Sequence, residues 1–247
     1  CFSPLFIGFI LPIFELLNWA IFFPSENFLS NNLIYTLLNT IILGVTAGML
    51  CTIFALVINF LKRFDKGFIL GFFSQFLSLG YALPGIILAI GIIKFFSYLD
   101  NSFVSTLLGF ILLGSLIGLV VAYIIKAYAL ASNTIESGFQ RINHSIDDIS
   151  LTLKQTKFEI FYKIHIPLMK TSILTSLLLV ISEVIKELPA TLILRPFNFD
   201  TLAVTTYTYA SEERMYEAAS PAIMIVLVGL IPIIFLSKII RDSRPGG

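Results

Sequence analysis

From Leu33 to Leu61 the chain runs without an Asp, Glu, Lys, Arg or His. A helix needs about 20 mostly apolar residues to cross a hydrocarbon core about 30 Å thick, and this run exceeds that length. It dictates a bilayer environment, and with it a backbone whose polar groups are all paired internally. The rest of the chain agrees: 57% of its 247 residues are hydrophobic and 13% are charged, and the mean hydropathy is +0.94. Barrel strands would show segments of roughly 10 residues alternating between apolar and polar. Here Leu, Ile, Phe and Val follow one another without alternation, so the expected fold is all-α, a polytopic membrane bundle.

Six spans are expected: Leu5 to Phe23, Leu33 to Leu61, Gln75 to Phe96, Phe103 to Ile125, Leu168 to Val184 and Ala222 to Ile240. Basic residues favour the cytoplasmic ends of spans, which orients the bundle. Lys62, Arg63 and Lys66 follow the second span, Lys126, Arg141, Lys154, Lys157, Lys163 and Lys170 lie around the fourth and fifth, and Lys238, Arg241 and Arg244 close the chain. Lys94, Lys186, Arg195 and Arg214 fall on the opposite side. Both termini and the segment 145–167 are thereby expected in the cytoplasm, and the segment 186–219 outside.

A formal net charge of +1 gives no reason to expect a nucleic-acid partner. Cys1 and Cys51 make no disulfide framework, and Cys51, inside a span, reads as a small apolar residue. The chain lacks an initiating Met and enters an apolar span almost at once without a cleavable signal pattern, so a fragment is expected, a lipidated first residue being the alternative. No repeat, low-complexity tract or Pro-rich linker divides residues 1–247, and one helical bundle is the simplest organisation.

Against this background the polar stretch from Ser145 to Pro167 stands out. Ser145 followed by Asp147 and Asp148 has the form of a helix N-cap, with negative charge against the positive helix end. Ile146, Ile149 and Leu153 make one apolar face, and Gln155 and Thr156 mark a break. A second short helix brings Phe158, Phe161 and Tyr162 together at i, i+3 and i+4 until Pro167 leads into the fifth span. On pattern alone this helix, turn and helix could lie on a lipid surface.

The spacing within the hairpin resembles the EAA loop of ABC importer permeases, in which Glu-Ala-Ala is followed by three residues, Gly, nine residues and Ile-x-Leu-Pro. Asp148, Ile149 and Ser150 take the first three positions, Lys154 stands where the motif has glycine, and Ile164, Ile166 and Pro167 complete it. Glycine there would give freedom at positive φ for a tight turn. The resemblance implies that the hairpin docks on a cytoplasmic ATPase, with Asp148, Phe158, Phe161 and Tyr162 carrying the contact and Lys154 at the turn. Residues 8–12, GFILP, residues 79–91, LGYALPGIILAIG, residues 186–191, KELPAT, residues 194–197, LRPF, and residues 200–219 narrow the resemblance to permeases of the ferric-iron type. Many of these are double-length, and this chain resembles their second half.

The residues in these segments also have a reading of their own. Pro84-Gly85 inside the third span is a kink or an irregular stretch lining a pathway. Glu183, Lys186 and Glu187 sit near the end of the fifth span, where charge is costly without partners or water, and Pro189 interrupts the helix there. They are either a mutually neutralised pair at the interface or, with Arg195, part of a pathway or a contact for a delivery protein. Glu15 in the first span either faces the bundle interior beside Asn18 or is protonated. Tyr207, Tyr209 and Tyr216 with Glu212, Glu213, Arg214 and Glu217 make an outer surface able to seat a binding protein, and direct binding of ferric iron there is the lesser alternative.

No enzyme is expected. His144 and His165, the only histidines, both fall around the hairpin, so neither an HExxH zinc pair nor an intramembrane Ser-His dyad can form, and no phosphate-binding GxxxxGK[ST] occurs. The expectation is a multi-pass subunit of the bacterial inner membrane that binds no cofactor or metal of its own. It would import ferric iron with ATP on a partner ATPase dimer, an extracytoplasmic substrate-binding protein and a second permease half, fused or separate. A secondary transporter or channel using Glu15, Glu183 and Lys186, or an ABC permease for a polyamine, thiamine or an anion, remains open.

Overall fold

The computed structural model describes residues 2–22, 30–64, 68–101 and 112–242. Among the described residues every regular element is helical. In chain order these are α1 (Ser3–Phe22), α2 (Asn31–Phe64), α3 (Phe68–Ser78), which runs into a 3-10 turn at Leu79–Ala82, and α4 (Gly85–Asp100). Then come α5 (Leu116–Gln140), α6 (His144–Thr152), α7 (Lys157–Leu168) and α8 (Lys170–Ile185). The chain continues through α9 (Pro189–Leu194), α10 (Leu202–Ser211) and α11 (Met215–Asp242).

Helices α1, α2, α5 and α11 are each long and apolar enough to cross a membrane, and two bent pairs, α3 with α4 and α7 with α8, raise the number of crossings to six if each pair is one span. The third expected span is therefore broken: at Leu83-Pro84 the chain bends by 120°. Pro84 excludes its predecessor from the helical region, and Leu83 accordingly adopts ψ 131°. The expected fourth span, Phe103 to Ile125, is described only in part. Residues 102–111 lie outside the described residues, and α5 begins only at Leu116 and continues to Gln140, so Lys126 sits within the helix rather than beyond its end. The second half of α5 carries the polar residues Ser132, Asn133 and Glu136. Two of these are paired: Asn59 Nδ2 donates to Ser132 Oγ at 3.1 Å, and Lys62 lies 3.6 Å from Glu136. The fifth span begins after a bend of 74° near Met169.

Helices α1 and α7 share a local device, a π turn at Phe6–Ile10 and at Phe161–His165. In each, the residue before a proline closes the wide turn: Leu11 N–H bonds to Phe6 O and Ile166 N–H to Phe161 O. Pro12 and Pro167 have no N–H to give, and the widened turn takes up the missing bond. Glu15 is exposed on α1, so of its two expected alternatives the one that faces it to the interior of this chain's bundle is not met.

The chain divides into two compact units, Cys1–Gly44 with Gly85–Leu119 and Val184–Ile231, and Val45–Pro84 with Val120–Glu183 and Pro232–Gly247. In the first unit Ala89, Ala190, Leu202 and Ala219 are fully buried. There the Thr40 hydroxyl accepts from Leu202 N–H at 2.9 Å and Asn39 donates to Asp200 O at 3.0 Å, anchoring the start of α10 to α2. In the second unit Ala47, Cys51, Ala55 and Ala131 are fully buried. Small residues let helices approach, and buried side-chain bonds such as Thr52 to Ser176 at 3.1 Å join them where lipid supplies no hydrophobic drive. The described basic residues divide the same way: Lys94, Lys186, Arg195 and Arg214 belong to the first unit, and all the others to the second.

Candidate functional site

The hairpin α6–α7 lies wholly within the second unit. Its N-cap is Asn143 rather than the expected Ser145, whose backbone N–H instead donates to Asn143 Oδ1 at 3.2 Å. The turn between the helices is a Schellman motif. Gln155 N–H bonds to Ser150 O at 3.1 Å and Lys154 N–H to Leu151 O at 3.0 Å. Lys154 occupies the left-handed position at φ 60°. Helix α7 then opens with a capping box: Glu159 N–H donates to Thr156 Oγ1 at 3.3 Å and Thr156 N–H to Glu159 Oε2 at 2.9 Å. These bonds and the nearby Lys163 ammonium hold the Glu159 carboxyl down at about 2.

Under the hairpin is a buried polar cluster. Asp147 and Arg63 have side chains only 5% exposed, and Arg63 Nε lies 2.6 Å from Asp147 Oδ2. Arg63 also donates to Phe139 O and Ile142 O, each at 2.8 Å, which caps the carbonyl end of α5 with a cation. The other carboxylate oxygen, Oδ1, is 2.8 Å from His165 Nε2, and His165 is fully buried. The rings of Phe60 and Phe139 stand 5.7 and 5.3 Å from its imidazole. Burial pushes the His165 imidazole below its ordinary value despite the pull of Asp147 in the opposite direction, with Arg63 adding to the depression. The network assigns a neutral ring with its proton on Nε2, donated to Asp147. This leaves Nδ1, buried and without a partner, as a bare lone pair rather than an unpaired donor.

The outer side of the hairpin is apolar and charged. Ile149, Leu153, Phe158 and Tyr162 are 60%, 70%, 75% and 66% exposed, and Asp148 is exposed beside them. Phe161, expected on this face, instead packs with its ring 4.6 Å from that of Phe60. Ser150 is buried, Ile164 is half-buried and Pro167 is exposed. Sequence reasoning missed Asp147, Arg63 and His165 as a group. The available signal was an adjacent acidic pair together with an Arg at the end of a span and one of only two histidines.

In the first unit, Gly85, Glu187 and Pro189 meet. Glu187 is buried, and its Oε1 accepts from Ala190 N–H at 3.4 Å at the start of α9. A side chain on Gly85 would begin 2.9 Å from that oxygen and 3.2 Å from Pro189 Cβ, so α4 and α9 touch there because Gly85 has none. Pro84 is exposed at the break, Glu183 is half-buried near the end of α8, and Lys186 is exposed just beyond it. Arg195 is ion-paired with Asp200, and the loop between them exposes Phe197 completely. The described residues hold no group of three or more His, Cys, Asp or Glu side chains arranged to bind a metal.

Residues 41–243 match the family model described as binding-protein-dependent transport system inner membrane component. The chain is 26% identical over 159 residues to the Fe(3+)-transport system permease protein FbpB 2 of Haemophilus influenzae, covering 64% of this chain and 29% of that protein. It is 23% identical over 128 residues to the putative ferric transport system permease protein FbpB 1 of the same organism, covering 51% and 20%. It is 31% identical over 77 residues to the molybdate/tungstate transport system permease protein WtpB of Methanocaldococcus jannaschii, covering 31% of each. The chain thus spans less than a third of the length of each of these relatives. Among solved structures, a bacterial alginate ABC transporter in complex with an alginate pentasaccharide-bound periplasmic protein superposes with a TM-score of 0.75 at 16% identity, over 96% of this chain and 90% of that one. The MetNI methionine ABC transporter in an inward-facing conformation gives 0.66 at 15% identity, over 90% and 100%. These likenesses establish the fold.

Proposed function

This chain belongs to the family of binding-protein-dependent transport system inner membrane components, and on that premise we propose that it forms the transmembrane path of an ATP-driven importer for ferric iron. It is a multi-pass inner-membrane protein and a permease subunit of an ABC importer. The further steps are our reading. A loaded extracytoplasmic binding protein docks on the outer segment 186–219. ATP closes a separate ATPase dimer on the cytoplasmic side, and the hairpin α6–α7 passes that closure to the spans so that a path shared with a second permease half changes its access. Ferric iron is proposed because two of the relatives carry that cargo in their names.

The observation that carries this reading is the pairing of an exposed docking face with a buried anchor. Ile149, Leu153, Phe158 and Tyr162 leave apolar surface uncovered on a charged hairpin outside the spans, as a surface for another protein does. Behind that face Asp147 ties α6 to α2 through Arg63. The test is to express the full-length protein with its ATPase and binding protein, and to follow co-purification of the ATPase and uptake of ferric iron. Asp148→Lys and Phe158→Ala are expected to weaken both. Unchanged co-purification and uptake in both variants would refute the coupling assignment. Intact coupling with uptake of a different ion would refute only the cargo.

A further inference from the structure

A groove of about 350 Å³ lies along α5 and α8, where Asn133, Ser137 and Arg141 line one wall and Thr171, Ser172 and Thr175 the other. Asn133, Ser137 and Arg141 recur every four residues, so they share one helix face. A second cavity of about 320 Å³ shares Arg141, Thr171 and Ser172 with the first and is bounded by Ile142 and Ile146. The groove therefore continues to the foot of α6, the helix whose outer face is proposed to dock. Its floor is a tight crossing: a side chain on Gly138 would begin 2.7 Å from Ser172 Oγ and 3.0 Å from Met169 Cε.

Polar side chains on membrane-spanning helices face protein or a water-filled path, and basic linings favour anions. The charged group in this groove is a cation. Arg141 is exposed and has no carboxylate partner among the described residues, and neither cavity is lined by Asp or Glu. The Ser137 hydroxyl already donates to Asn133 O at 2.8 Å, which leaves the Arg141 guanidinium, the Asn133 amide and the α8 hydroxyls as donors. Such a set of donors repels a bare ferric ion, whose preferred ligands are hard anionic oxygens, and suits an anion with an oxygen surface.

We propose that this groove is the cytoplasmic part of the transport path and that it receives the cargo as an anion, either an oxyanion or a ferric ion wrapped in anionic oxygen ligands. The assignment rests on the transport reading above and specifies the charge of what passes. Movement of α6 shifts Ile146 and thereby the mouth of the groove, so docking and access are joined through one wall.

The test uses the full-length protein in inside-out membrane vesicles, with Cys1→Ser, Cys51→Ala and replacement of any further cysteine of the full-length protein as background. Ser137→Cys and, separately, Thr175→Cys are reacted with two membrane-impermeant methanethiosulfonates, one bearing a sulfonate and one a quaternary ammonium. The sulfonate reagent is expected to react faster, and Arg141→Gln is expected to lower the ratio of the two rates on the order of tenfold. Any change of the thiol's own reactivity cancels in that ratio. Inorganic phosphate or ferric citrate should protect both cysteines. Failure of both reagents to react, a faster cationic reagent, or a ratio indifferent to Arg141→Gln would overturn the proposal. Protection by phosphatidylglycerol in the bilayer without protection by soluble phosphate or ferric citrate would also overturn it, since the anion would then be a lipid headgroup. ATPase co-purification is scored on the same preparations, so loss of the coupling reading is seen separately from loss of this one.

Discussion

Replacing Asp147 by Asn isolates the electrostatic core of the hairpin, because the change keeps the shape and removes the charge. The Asp147 carboxylate accepts from Arg63 Nε at 2.6 Å and from His165 Nε2 at 2.8 Å. An amide offers one acceptor and one donor group in its place. Either one of the two incoming N–H groups is left without an acceptor, or the His165 proton moves to Nδ1, which is buried with no partner. Both outcomes leave a buried donor unsatisfied, at about 1–3 kcal/mol. Loss of the charge opposite Arg63, whose side chain is 5% exposed, costs about 3–5 kcal/mol when one partner of a buried pair is removed, a figure that already contains part of the first. The two carbonyl bonds of Arg63 to α5 survive and keep the total near about 4 kcal/mol. The assay is denaturant unfolding of the purified protein in detergent, with Asp148→Asn as the control one residue away. The exposed control should stay within about 0.5 kcal/mol. The paired change Arg63→Met with Asp147→Leu should recover only the part of the loss that comes from the uncompensated charge, since His165 Nε2 and the carbonyls of Phe139 and Ile142 then lose their partners. Equal stability of Asp147→Asn and Asp148→Asn would refute the buried-anchor reasoning.

Lys154→Gly should stabilise the hairpin by about 1 kcal/mol, because a non-glycine residue at φ 60° bears a strain that glycine does not; a loss of stability in the same unfolding assay would contradict it. Phe158→Ala should reduce ATPase co-purification while leaving stability nearly unchanged, whereas Phe161→Ala, which removes a ring packed on Phe60, should cost about 2 kcal/mol; interchanged effects would show that the two rings have been assigned to the wrong faces. The His165 imidazole is depressed by burial, so its contribution to stability is complete above an ordinary histidine value of about 6.5 and is lost as pH falls through the lower folded value. Unfolding midpoints should therefore fall on acidification from pH 7.5 to 5, and His165→Gln should flatten that slope; a rise on acidification would mean that the ring is charged in the folded protein.

The apolar runs made the helical membrane fold legible, since nothing else can accommodate Leu33 to Leu61. Pro84-Gly85 marked a kink or irregular stretch in the third span, and the hairpin announced its own turn at Gln155 and Thr156. The phase of α6 was not legible. Ile146, Ile149 and Leu153 were read as one apolar face, yet Ile149 and Leu153 are exposed, while Asp147 and Ser150 are buried. In a helix this short, apolar spacing shows that a face seeks cover without showing whether the cover belongs to the same chain. The carboxylate that turns inward is chosen by Arg63, far away in sequence, and no local pattern contains that information. The end expected for the fourth span at Ile125 was too early for a related reason, because Ser132 and Glu136, paired with Asn59 and Lys62 of α2, are polar residues whose partners the local sequence does not show.

A docking face transmits motion only if what lies behind it moves with it. If α6 were held to the spans by apolar contact alone, the torque of a closing partner could be relieved by sliding. The arrangement of Arg63 opposes this: one side chain from α2 holds Asp147 of α6 and, at the same time, the carbonyls of Phe139 at the end of α5 and of Ile142 just after it. His165 of α7 closes on the other oxygen of the same carboxylate, so both helices of the hairpin and the ends of two spans share one polar node. Displacing α6 without α5 would break charge-assisted bonds in a dry site, each worth about 1.5–3 kcal/mol, whereas moving them together breaks none. The node therefore favours a concerted shift over local deformation, as switching between discrete packed states requires. On the function proposed above, Asp147→Asn should uncouple ATP hydrolysis from transport even under conditions where the variant remains folded and bound to the proposed ATPase. Loss of binding and transport in strict parallel would instead reduce the node to a folding element.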